Sequence, residues 1–373
     1  MDRTCSKGSD SQMIFCANPQ AQFLSYQAEI EAAVLRVMRG NQYILGPEVE
    51  ALEAEFADYI GVQHAIGVAN GTDALELALR ALGISHGDEV ITVSHTAVAT
   101  VAAIEASGAT PVLVDIEPDY YTMDPDLLHE ALSPRTKAVI PVHIYGQSAD
   151  LDLIQKFCEE HDLALIEDVS QAHGARWRGK RLGSYGLLGC FSCYPTKNLG
   201  ALGDAGLITT NDSQLARKLK AIRQYGWEDR ISVMAGRNSR LDELQAAVLR
   251  VKLRYLDQDN QKRQQIAVHY REQLVGLDLK LPAVRSEAEH VYHLFVIQHL
   301  HRDQIIENLR KHEIYAGIHY PVPIHQQPAY GQRMNVLLPI TDVLSDRIIS
   351  MPIYPEVALD EIKRVSSKIR EKI

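Results

Sequence analysis

The chain predicts an α/β fold: a large domain with a mostly parallel, mixed sheet flanked by helices, then a smaller C-terminal α+β domain. Three observations lead there. Between residues 65 and 169 short apolar runs alternate with helical stretches, the rhythm of βαβ units. Beyond 169 that rhythm breaks, so part of the sheet must run the other way. The length of 373 residues suggests about two domains.

The first residues, MDRTCSKGSDSQ, are polar and hold no apolar h-region, so they are not a secretory signal. Residues 1–13 are expected to be a disordered extension. Ile30, Val34, Leu35 and Met38 recur at helical spacing and predict a helix over 26–40. Gly46-Pro47 turns the chain, Pro47 can open a helix over 48–59, and Gly61 can end it.

The ladder then begins. AIGVAN reads as a strand, followed by a helix over 72–82 stopped at Gly83. EVITV precedes a helix over 96–106 stopped at Gly108. PVLVDI precedes a helix over 125–132, and KAVIPVHI one over 151–161. LALIEDV is the fifth strand. Such crossovers are right-handed and place the strands in a buried parallel sheet. The runs 190–194 and 206–210 follow, separated by about ten residues, which is short for a helical crossover. One of the two is therefore expected to be antiparallel. Asp212 can cap a helix over 214–225. A long helical pattern over 241–274 is read as the connection between a large domain, 14–255, and a small one, 256–373. The latter mixes the strand-like HVYHLFVI with helices over 302–312 and 359–372.

Composition narrows the function classes. The hydrophobic fraction is 46% and the charged fraction 23%, as in ordinary globular proteins. Lys and Arg number 38 against 48 Asp and Glu, a net charge of -10, which argues against a nucleic-acid partner. No apolar run is long enough to span a membrane. Five cysteines in a chain of this length make no disulfide framework. Cys190 and Cys193 fall within one strand, where residues three apart face opposite sides, and are read as buried thiols of a reducing cytoplasm.

The chemistry gathers at strand ends. In a parallel sheet the carboxyl ends share one rim, where open α/β folds bind ligands. Lys197 follows the run Phe191–Tyr194 among small and apolar residues, surroundings that disfavour its charge and lower its pKa. A desolvated, partly neutral Lys can attack a carbonyl and form a Schiff base. At the end of the first strand, Asn70-Gly71-Thr72-Asp73 offers free N–H groups at a helix start, an anion site suited to phosphate or simply a strand-to-helix turn. Glu167 and Asp168 close the fifth strand, with Gln171 beyond. A carboxylate there can cap a helix, ligate a metal or keep a pyridine nitrogen protonated. Phosphate cradle, ring carboxylate and Lys together compose a pyridoxal phosphate (PLP) site.

The segments YILGPEVEALE, ANGTDALELAL, IEDVSQAHGA, SCYPTKNLGALGDAG, GRNSRLDELQAAVL, HVYHLFVI and IHYPVPIHQQPAY resemble the sugar aminotransferases of the DegT/StrS group, which are fold type I PLP enzymes. The resemblance covers nearly the whole chain from about residue 14. It implies that Lys197 binds the cofactor covalently and that Asp168 pairs with the pyridine nitrogen. Gln171 is implied beside the phenolic oxygen, and Gly71, Thr72 and Ser192 around the phosphate. Asn238 is implied to reach the partner subunit's cofactor, in a homodimer with shared sites. His319, Tyr320 and His325 are implied near the sugar. The sequence departs from the group at Ala97, where many members carry a ring that stacks on the cofactor; His95 is a candidate to replace it.

The implied activity is transfer of an amino group from L-glutamate to a keto-sugar by way of the pyridoxamine phosphate form. The acceptor is expected to be nucleotide-linked (dTDP or UDP), and the setting cytoplasmic amino-sugar synthesis for a polysaccharide or a natural product. An aminocyclitol aminotransferase is the neighbouring reading. Sugar dehydratases of the group lack the Lys, which Lys197 argues against. A regulatory protein would have no use for the full set of PLP residues. The histidines at 290, 293, 319 and 325 lack the spacing of a metal site. Arg237, Arg240 and Trp227 could face a nucleotide or serve packing and ion pairs.

Overall fold

A computed structural model describes residues 13–373. The predicted disordered extension, 1–13, lies outside them except for Met13. The early helices are α1 (Gln27–Met38) and α2 (Pro47–Ile60), the latter opened by Pro47 and closed by Gly61 at φ 84°. A short helix, Pro19–Ser25, precedes α1; Asn18 caps it and Pro19 opens it.

Seven strands form the main sheet: β1 (His64–Val68), β2 (Glu89–Val93), β3 (Thr110–Val114), β4 (Thr136–Val139), β5 (Ala164–Asp168), β6 (Leu188–Ser192) and β7 (Gly206–Thr210). Their order is β1-β7-β6-β5-β4-β2-β3. Only β7 runs antiparallel to its neighbours β1 and β6, so it is the reversed strand the short connection demanded. The connecting helices are α3 (Gly71–Ala81), α4 (Val98–Ser107) and α5 (Leu151–Glu160), and α6 (Ser213–Ile222) follows β7.

Strand periodicity builds the core. Ile66, Val90, Ala138, Ile166, Cys190 and Ile208 face one side with residues of α3, α4 and α6. Their immediate neighbours Ala65, Ile91, Val139, Leu165, Phe191 and Leu207 face the other, against α2, α5 and α7 (Glu243–Leu253). Cys190 and Cys193 are buried, and burial raises both thiols.

Several expected helices differ, the one over 214–225 ending at Ile222. The pattern over 241–274 is two helices, α7 and α8 (Leu256–Leu274). The break falls where Tyr255 stacks on Tyr26 at 4.2 Å and donates to Glu29, a tertiary contact that periodicity does not encode. The helix expected over 96–106 begins at Val98, because Ala97 is extended. The one over 125–132 is a 3-10 turn, Pro125–Leu127, and a single helical turn, Leu128–Ala131.

The C-terminal part pairs β8 (Phe295–Gln298) antiparallel with β9 (Ile348–Met351). They pack with α8, α9 (Arg302–Lys311) and α10 (Leu359–Arg370) around Tyr270, Phe295, Ile305 and Val365. Ile14 joins this cluster, since Ile14–Phe15 pairs in parallel with Ile314–Tyr315. No described helix is long and apolar enough to cross a membrane.

Candidate active site

The carboxyl ends of β1, β2, β5 and β6 meet at a cavity of about 280 Å³. Gly71 and Thr72 line it from the start of α3, Asp168 and Gln171 from the end of β5, and Ser192 and Lys197 from β6 and its loop. These six residues come from distant parts of the sequence and share one site, as the strand-end reading expected.

Asn70 caps α3, its side chain accepting from Asp73 N at 2.8 Å. The first N–H groups of the helix stay available for an anion, and the helix dipole favours negative charge there. Gly71 is required by close approach: a Cβ on it would stand 2.4 Å from Ser192 Cβ. Ser192 and the helix start therefore form one cradle.

Asp168 is buried yet well supplied with donors. Its Oδ1 accepts from Ser170 N at 3.1 Å and its Oδ2 from Thr100 Oγ1 at 2.9 Å. Thr100 also bonds Thr96 at 3.0 Å. The adjacent Glu167 is locked behind the site. Burial tends to raise its pKa, but His143 and the N–H groups of Gly183, Tyr185 and Gly186 outweigh that and hold it below the usual carboxylate range. Glu167 thus braces β5 while Asp168 faces the cavity.

Lys197 makes no side-chain hydrogen bond or ion pair among the described residues. Burial pushes its pKa down to about 8, against the opposing pull of the Asp168 charge. Its loop is clamped by its neighbours. The side chain of Asn198 donates to Asn260 Oδ1 at 2.8 Å and Val291 O at 3.1 Å. Gly200 O accepts from the buried ammonium of Lys252 at 2.7 Å. A primary amine with a depressed pKa facing a fixed carboxylate is equipped to attack a carbonyl and to move protons.

The remaining expected residues are not among those that line the cavity. His95 does not line the cavity. It is buried with Nε2 2.6 Å from Tyr145 Oη, and burial lowers its pKa to about 4. Ala97 does line the cavity, and Tyr194 is the one aromatic lining residue among those described. His325 is buried, with Nδ1 on Ser94 Oγ at 2.8 Å and Nε2 on Asp342 at 3.0 Å. Tyr320 stands beside the site, accepting from Gln171 Nε2 at 3.1 Å. His319 Nδ1 bonds Ser350 Oγ at 2.8 Å. Asn238 is exposed and outside the cavity lining of its own chain. Arg237 pairs with Asp73 and Glu76, and Arg240 donates to Asn238.

Sequence reasoning missed Thr100, Tyr145 and Tyr194. Thr100 carried a signal, since it follows Thr96 by four residues at a helix start. Tyr194 lies three residues before Lys197. Tyr145 had none, because its contacts come from residues far away in the chain.

Residues 25–370 match the DegT/DnrJ/EryC1/StrS aminotransferase family. The chain belongs to that family. Members similar to it include dTDP-3-amino-3,4,6-trideoxy-alpha-D-glucose transaminase of Streptomyces venezuelae, 44% identical over 356 residues, covering 94% of each chain. A second is UDP-N-acetyl-3-dehydro-alpha-D-glucosamine 3-aminotransferase of Acidithiobacillus ferrooxidans, 42% identical, covering 95% of this chain and 96% of the relative. Among solved structures, that of S. venezuelae DesV in complex with a ketimine intermediate superposes with a TM-score of 0.95 at 42% identity, covering 96% of this chain and 98% of that one. This DegT/DnrJ/EryC1/StrS member is an aminotransferase, and its α/β architecture is the one the family shares.

Proposed function

We propose that this aminotransferase uses PLP to move an amino group from L-glutamate to a keto-sugar carried on a nucleotide, dTDP or UDP. The observation that carries the reading is Lys197, an unpaired amine with a depressed pKa in one cavity with Asp168, Ser192 and the start of α3. The relatives with dTDP- and UDP-sugar names support the acceptor class.

The residues present fit the cofactor. The capped helix start and Ser192 offer donors to its phosphate, and Gly71 keeps that cradle open. Asp168, anchored by Thr100, suits a protonated pyridine nitrogen, since unit charges about 4 Å apart at an effective dielectric near 20 gain about 4 kcal/mol. When bound, PLP holds the migrating amine and draws electrons from the carbon that loses its proton. Lys197 would take that proton and return it to the carbon on the other side of the amine nitrogen, acting as base and then acid. Gln171, between Tyr145 and Tyr320, orients the opposite edge of the cavity.

Asn238, exposed and outside its own chain's cavity, suits a homodimer in which it serves the partner's site. We take residues 14–255 and 256–373 as the two domains. The buried free thiols Cys158, Cys190 and Cys193 suit a reducing compartment, the cytoplasm. The test is an absorbance spectrum of the protein with PLP, before and after L-glutamate, beside Lys197→Ala. Wild type is expected to gain a band that glutamate converts, and Lys197→Ala to lack the conversion. No band in wild type would overturn the assignment of Lys197.

A further inference from the structure

Tyr145 lies in the turn after β4, at a left-handed φ of 60°. That conformation is held by its neighbours, with Leu294 N donating to Tyr145 O at 3.2 Å and Val291 N to Gly146 O at 3.0 Å. Its buried hydroxyl bonds two partners, His95 Nε2 at 2.6 Å and the backbone carbonyl of His319. A phenol has one proton, and a carbonyl oxygen can only accept. The Tyr145 proton therefore goes to His319 O, and His95 must donate through Nε2–H. Burial keeps His95 neutral, so its single ring proton is the one on Nε2.

The same residue sets a second polarity. Tyr145 N donates to Gln171 Oε1 at 2.8 Å, which turns the other end of that amide, Nε2, toward Tyr320 Oη at 3.1 Å. Tyr320 accepts there, so its own hydroxyl proton remains free to give.

We propose that His95 and Tyr145 are positioning residues for the acceptor side of the site: a one-directional hydrogen-bond chain, His95 to Tyr145 to His319 O, seats residues 319–320 and, through Gln171, leaves Tyr320 with a proton to donate to the sugar. This rests on the reading of 319–320 as substrate-facing. It gives His95 a role other than stacking on a ring.

The test compares holoenzyme variants Tyr145→Phe, His95→Leu and His95→Gln. Backbone hydrogen exchange is followed over 317–322. Affinity is measured for dTDP-glucose and UDP-N-acetylglucosamine, as probes that lack a ketone, and the rate of the spectral change with L-glutamate is recorded. Tyr145→Phe and His95→Leu are expected to speed exchange over 317–322 and weaken nucleotide-sugar binding about tenfold, the size of one lost hydrogen bond. The glutamate rate should stay within about twofold, because the chain does not touch Lys197. His95→Gln, whose amide supplies an N–H where Nε2–H stands, should restore wild-type behaviour. Unchanged exchange in Tyr145→Phe, or equal losses with glutamate and sugar, would overturn the proposal. Should Tyr145→Phe not fold, the His95 pair decides alone, with wild-type behaviour of His95→Leu as the overturning result. A wild type that answers neither glutamate nor nucleotide sugar would instead refute the functional reading, and the exchange comparison would still judge the chain.

Discussion

Thr100 donates its hydroxyl to Asp168 Oδ2 at 2.9 Å, from the first turn of α4 to the end of β5. Both side chains are buried, and the bond fixes which way the carboxylate faces before any ligand arrives. Thr96, four residues earlier, buttresses Thr100 in turn.

Thr100→Val keeps the shape and removes the donor. A buried hydrogen bond to a charged group contributes about 1.5–3 kcal/mol, so the variant should lose stability in that range. Urea denaturation of cofactor-free protein measures it, and a loss below about 0.5 kcal/mol would mean Asp168 is held by Ser170 N alone.

Lys197 should titrate early. In cofactor-free protein its carbamylation by cyanate, followed by mass spectrometry, should rise with pH through a midpoint near 8. An ordinary Lys does so at about 10.4. The Asp168 charge favours the ammonium, so Asp168→Asn should move the midpoint lower still. A midpoint at the ordinary value would show that the amine is solvated.

Lys252 makes a stability signature of its own. It is buried against Gln22 Oε1 and Gly200 O, and burial pushes its pKa down to about 8. Between there and about 10.4 the unfolded chain binds a proton that the folded chain does not, so stability rises with pH across that window. Lys252→Met should flatten the slope by about 1.4 kcal/mol per pH unit. Denaturation at several pH values across the window checks this, and an unaltered slope would contradict it.

Gly71→Ala tests the phosphate cradle. The new Cβ would meet Ser192 Cβ at 2.4 Å, forcing β6 and α3 apart. Such overpacking costs about 1–3 kcal/mol. PLP affinity should fall about tenfold or more in an absorbance titration. Unchanged affinity would place the phosphate elsewhere.

Much of this was legible in one dimension. Period-two strands, helix stops at Gly61, Gly83 and Gly108, and the short link between β6 and β7 are consequences of local sterics and chain length. They prescribe a mixed sheet and bring Gly71, Asp168, Ser192 and Lys197 to one rim. What tertiary packing alone decided is where side chains with several available partners end up. His95 had several available partners, and its Nε2 meets Tyr145 Oη. His325 meets Ser94 and Asp342, from two distant parts of the chain. The helical pattern over 241–274 could have run straight, but Tyr26 and Glu29 hold Tyr255 at a break. Backbone periodicity follows from each residue and its near neighbours, whereas a polar side chain goes to whichever distant donor or acceptor the finished core leaves beside it.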